Sequence, residues 1–191
     1  TAGEMFHAAA DGEIKALWIA CTNPAQSMPD QATVRRALQR AEFVVVQEAF
    51  ATAATCDFAD LLLPATTWGE KEGTVTNSER RISRVRAAVA PPKAEGSADA
   101  PRHDWEIAVD FARRLERLLS AGPAPVAGPF DGAQDRPGPA LPVKDLFPYS
   151  TPESLWNEHR ESTRGRDLDI TGLSYAMLDA APQQWPLNQG E

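Results

Sequence analysis

The apolar positions of this chain change rhythm along its length. Three short runs, "IKALWIA" at 14–20, "EFVVVQEA" at 42–49 and "LLLPA" at 61–65, are continuous rather than alternating and have the length of strands. Between them the apolar residues recur at helical spacing. Met5, Phe6 and Ala9 do so before the stop signal of Gly12, and Val34, Leu38 and Ala41 do so after Pro29-Asp30 opens a helix running to about Arg40. Near-continuous apolar strands alternating with helices predict a mainly parallel sheet with helices on both faces: a three-layer α/β fold, one Rossmann-like half. On such sheets ligands bind beyond the C-terminal ends of the strands. Here those ends are Cys21-Thr22-Asn23-Pro24, Gln47-Glu48-Ala49-Phe50, and Pro64 running on into the next segment.

That next segment is "TWGEKEGTVTNSERR", 67–81, where the apolar pattern breaks into dense charge. "GTVTN" and "RRISRVRAAV" then have strand character and predict a hairpin that closes a 1–90 core. Residues 91–120 hold a Pro/Gly/Ala-rich connector and an amphipathic helix from Asp104. Its apolar stripe is Trp105, Ala108, Ala112, Leu115 and Leu119, widened by Ile107 and Phe111. Residues 121–148 form a low-complexity loop. In 149–191, Thr151-Pro152-Glu153 supplies an N-cap, an N1 proline and an acidic first turn for a helix to about Ser162. A last short helix and an extended tail follow.

Composition narrows the function. The 191 residues carry a net charge of −8 and a sequence pI of 4.9, which argues against nucleic acid as the main partner. No apolar run approaches the ~18 residues of a membrane span. Cys21 and Cys56 are the only cysteines; both lie in or beside apolar segments and read as buried free thiols. Two cysteines and three scattered histidines do not make a structural zinc or iron–sulfur site, and no metal ligands are assigned.

The candidate chemistry gathers at the strand ends, each residue with a plainer alternative. Asn23 is an Asx turn before Pro24, or an amide presented to a ligand. Gln47-Glu48 closes a strand, and Glu48 is solvated or accepts from a ribose hydroxyl or a guanine edge. Lys71 is one of several surface charges, or a point charge for a phosphate or a ring oxygen. Asp104 is an N-cap, a ligand contact, or both. Arg80, Arg81, Arg84 and Arg86 are a solvated strand face or a docking surface for an anion. No GxGxxG follows the first run, no P-loop or GxSxG motif is present, and no nucleophile stands with its base, so no residue is assigned as catalytic.

Together, "IKALWIACTNPAQSMPD", "FVVVQEAFATAATCDFADLLLPATTWGEKEGTVTNSERRISRVRAAV", "HDWEIAVDFARRL" and "PYSTPESLWNEHRESTRGRDLDITGLSYAMLDAAPQQWP" resemble the molybdopterin-guanine-dinucleotide oxidoreductases. Within that family the likeness is nearest to the catalytic subunits of bacterial assimilatory nitrate reductases, with formate dehydrogenases carrying close variants. The resemblance implies an internal slice of a larger cytoplasmic enzyme. That enzyme would reduce nitrate to nitrite at Mo-bis-molybdopterin guanine dinucleotide, fed by an electron donor through a [4Fe-4S] cluster. It implies that the metal ligand and the cluster's cysteines lie upstream, in the enzyme's remaining domains. It also implies cofactor contacts at Asn23, Gln47, Glu48, Lys71 and Asp104, although relatives often have a Ser-Asp pair where this chain has Gln47-Glu48. A stand-alone α/β nucleotide-binding or interaction module is the competing expectation.

Overall fold

The computed structural model describes residues 1–93, 100–120 and 146–190. The chain divides into two compact units: Thr1–Glu72 with Val85–Asp104, and Gly73–Arg84 with Trp105–Glu191. Part of the expected connector, 94–99, and most of the expected low-complexity loop, 121–145, lie outside the described residues.

The first unit is built on a parallel sheet in the order β1 (Ala16–Ala20), β2 (Phe43–Glu48), β3 (Leu61–Pro64). Helix α1 (Ala2–Asp11) ends where expected. Gly12 takes φ 86°, and a Cβ there would stand 2.8 Å from Nε of Arg40. A short helix α2 (Pro24–Ser27) follows β1. Helix α3 (Gln31–Arg40) is capped by Asp30, whose carboxylate accepts from the Thr33 amide at 3.3 Å.

Phe6, Ala9 and Ala10 of α1 and Val34, Ala37 and Leu38 of α3 bury with Leu17 and Ile19 of β1 and Val44 and Val46 of β2. These four sheet residues pair as Leu17 with Val44 and Ile19 with Val46, so they share one face, and α1 and α3 both cover it. The unbroken apolar runs predict burial on both faces, yet β1 alternates. Trp18, Phe43 and Leu61, on the opposite face by register, are 38%, 44% and 43% exposed. Continuous hydrophobicity therefore identifies the parallel strands here without fixing what covers the second face.

In the second unit, β4 (Gly73–Thr76), β5 (Arg81–Val85) and β6 (Gln183–Gln184) form a second sheet in that order, with β5 and β6 antiparallel. The expected hairpin is present, and what reads as an extended tail supplies its third strand. Helix α5 (Pro152–Ser162) keeps its expected start, with the Thr151 hydroxyl accepting from the Ser154 amide at 3.1 Å. Helix α6 (Tyr175–Ala180) joins α5 in a core of Ile82, Trp156, Ile170, Leu173, Tyr175 and Leu178. Helix α4 (Asp104–Ser120) buries Ile107 and Val109, whereas Phe111, Leu115 and Leu119 of its apolar stripe are exposed.

Candidate functional site

Register brings the strand ends together. Ala20 lies opposite Gln47, and Glu48 opposite Pro64. Beyond β3 the chain gains one more partner, because Ala65 bridges Arg102 in parallel. The Thr66 amide donates to the Arg102 carbonyl at 3.0 Å, and the Arg102 amide to the Pro64 carbonyl at 3.1 Å. This pairing delivers Asp104, two residues on, to the C-terminal edge of the sheet.

The Asp104 carboxylate is the hub there. Its Oδ2 accepts from Nζ of Lys71 at 2.7 Å, and its Oδ1 accepts from Nε2 of Gln47 at 2.8 Å and from Sγ of Cys21 at 3.6 Å. The Lys71 and Asp104 side chains are only 28% and 27% exposed, so water screens the pair less than it would at the open surface. Burial alone would raise the Asp104 carboxyl. The Lys71 and Gln47 hydrogen bonds, the Lys71 charge and the Cys21 thiol outweigh it and hold the group below the ordinary aspartate range. Partial desolvation first, and then the Asp104 charge, push the Cys21 thiol up, so it stays protonated near neutral pH and acts as a donor.

Of the five expected site residues, Gln47, Lys71 and Asp104 thus meet directly. Asn23 and Glu48 stand at the same strand ends but make separate local contacts. Oδ1 of Asn23 accepts from the Thr55 amide at 3.1 Å and from the Thr55 hydroxyl at 2.6 Å, while its Nδ2 donates to Gln26 at 3.0 Å. Asn23 is therefore a clamp between the β1 loop and the 3-10 turn Ala54–Phe58, and not the Asx turn that Asn-Pro suggests. Oε1 of Glu48 accepts from the amides of Ala49 and Phe50 at 2.7 and 3.3 Å, and its other oxygen takes no hydrogen bond among the described residues.

Both cysteines read as buried, but Cys56 is half-buried and Cys21 is misplaced outright. It is exposed rather than buried, because it sits one position past β1 in a left-handed conformation, φ 59°. Its position at a strand end facing the ligand edge was the available signal. Among the other charges, Oε2 of Glu70 accepts from the Thr67 amide at 2.8 Å and holds the 3-10 turn Trp68–Glu70. The arginine patch is partly committed to structure within the second unit. Arg84 lies 3.9 Å over the Tyr175 ring and donates to the Gly73 carbonyl at 3.0 Å, and Arg80 lies 5.8 Å over Trp185.

A cation, a carboxylate with one unengaged oxygen and a second, tightly held carboxylate can together bind a polar heterocycle or a phosphate ester; they carry no nucleophile. The family model for molybdopterin oxidoreductases matches residues 1–114. A nitrate reductase of Synechocystis sp. is 35% identical over 192 residues, which is 100% of this chain and 22% of that protein. The assimilatory nitrate reductase catalytic subunit of Bacillus subtilis is 34% identical, over 93% of this chain and 20% of that protein. The F420-dependent formate dehydrogenase subunit alpha of Methanocaldococcus jannaschii is 35% identical, over 91% and 20% respectively. The chain spans about a fifth of the length of these curated relatives.

Proposed function

The chain belongs to the molybdopterin oxidoreductase family, and we propose that it is the cofactor-holding portion of a larger cytoplasmic enzyme that reduces nitrate to nitrite. The observation that carries this reading is the Lys71–Asp104 pair, 2.7 Å apart, at the C-terminal edge of the parallel sheet. The cofactor of the reading is Mo-bis-molybdopterin guanine dinucleotide. When bound, it would supply the redox-active metal for oxygen-atom transfer.

The donor set fits the organic part of such a group. Lys71 offers a cation to a phosphate or a ring oxygen. The unengaged oxygen of Glu48 and the carboxylate of Asp104 offer acceptors to the N–H edge of a guanine. Gln47 is 4% exposed and spends its amide N–H on Asp104, so it acts by holding that carboxylate. Asn23 acts by fixing the loop after β1. None of the five residues touches a reacting atom in this reading. The metal ligand, the [4Fe-4S] cluster, the electron donor's docking site and the nitrate pocket are assigned to the remaining domains of the longer enzyme.

Calorimetry with guanosine monophosphate tests the binding role. The wild-type chain is expected to bind, and Lys71→Ala to bind about tenfold more weakly, the usual loss for a charge-assisted contact. Absence of molybdenum from the purified longer enzyme would defeat the reading. The identity of the F420-dependent formate dehydrogenase subunit supports a second version, in which the same edge serves a formate-oxidising enzyme. Assaying the molybdenum-loaded enzyme with nitrate and with formate separates the two.

A further inference from the structure

We propose that Cys21 is a positioning residue of this edge: its thiol, aimed by a left-handed backbone, holds the Asp104 carboxylate in the orientation that meets Lys71 and Gln47. The inference rests on the reading of this edge as the place where the cofactor's nucleotide binds. Three donors from three separate segments converge on one carboxylate. Lys71 comes from the segment after β3, Gln47 from β2, and Cys21 from the residue after β1. Lys71 alone is satisfied by many carboxylate rotamers. Gln47 and Cys21 both engage Oδ1, and fixing Oδ1 turns Oδ2 towards the ammonium.

The backbone supports the assignment. A side chain with φ near 60° is uncommon outside glycine, asparagine and aspartate, and its strain persists only where the surroundings impose it. The Cys21 conformation goes with an Sγ 3.6 Å from Asp104, where partial desolvation and the neighbouring carboxylate keep the thiol in its donating form. The charged groups that act on the pair are Lys71 and Glu48 at the end of β2; Arg102 and His103 precede Asp104 in the chain.

The test follows the Asp104 side-chain carboxyl by carbon NMR against pH, together with guanosine monophosphate affinity, in the full 191-residue chain. Cys21→Ala is expected to move the Asp104 midpoint upward and weaken the nucleotide by about threefold, a modest loss because S–H is a weak donor. Cys21→Ser, which keeps a donor, is expected to restore both. Cys21→Gly relieves the backbone, so it should reproduce the Cys21→Ala shifts without loss of thermal stability, and it stands in if Cys21→Ala folds poorly. Unchanged Asp104 titration in Cys21→Ala and Cys21→Gly overturns the proposal. So does an equal shift in Cys21→Ser, which would make side-chain size the cause. A wild-type chain that ignores the nucleotide defeats the reading of the edge instead, and the Asp104 titration still decides the role of Cys21.

Discussion

Asp104 shows how one residue ties local chemistry to stability. Three donors favour its ionised form in the fold, so its folded-state carboxyl lies below the ordinary aspartate value of about 3.9. A depressed carboxylate contributes stability that is full above that ordinary value and is lost as pH falls towards the folded one. Denaturant titrations at stepped pH are expected to show wild type losing stability below about pH 4. Asp104→Asn should begin about 1–3 kcal/mol lower at pH 7 and lose less over the acid window, because the charge-assisted bonds are already gone. Identical acid profiles for the two chains would remove Asp104 from the account. The sequence made Asp104 visible through its place before a helix, but its partners lie 33, 57 and 83 positions away in the chain. Register and the Ala65–Arg102 bridge bring them together, and neither has a local sequence signature.

At the scale of elements, periodicity located the strands closely. The runs at 14–20, 42–49 and 61–65 became Ala16–Ala20, Phe43–Glu48 and Leu61–Pro64. Helix α5 also kept its expected limits, since Thr151 and Pro152 act within one turn of themselves. What could not be read was β6. Two glutamines carry no strand pattern, and they are held by pairing with Arg81 and Ile82, about a hundred residues earlier in the chain. The same return of the tail explains Gly172. Its amide donates to the Leu187 carbonyl at 2.9 Å, and a Cβ there would lie 2.5 Å from the Asn188 carbonyl oxygen. Gly172→Ala is therefore expected to cost about 2 kcal/mol or more, because backbone on both sides must shift. Hydrogen exchange should place the loss at 169–190. An unaffected melting temperature would show that the tail yields freely.

At the scale of the molecule, the chain spans about a fifth of its relatives' length, and the proposed reading assigns the metal ligand and the nitrate pocket to the remainder. A colorimetric assay of the purified chain with nitrate and a chemical reductant should therefore detect no nitrite, and nitrite formation would overturn the division of labour proposed here. Net charge of −8 also repels small anions at long range. The Lys71–Asp104 contact extends that discrimination to the edge itself. The two side chains answer each other, so an arriving molecule has to take part in an exchange. It must offer Lys71 an acceptor while handing Asp104 a donor. A fully ionised phosphate ester, with acceptors alone, can do only the first and leaves a half-buried carboxylate short of a partner. A molecule that carries an oxyanion and an N–H edge on one frame can do both, and the edge thereby selects for a ligand with two unlike ends.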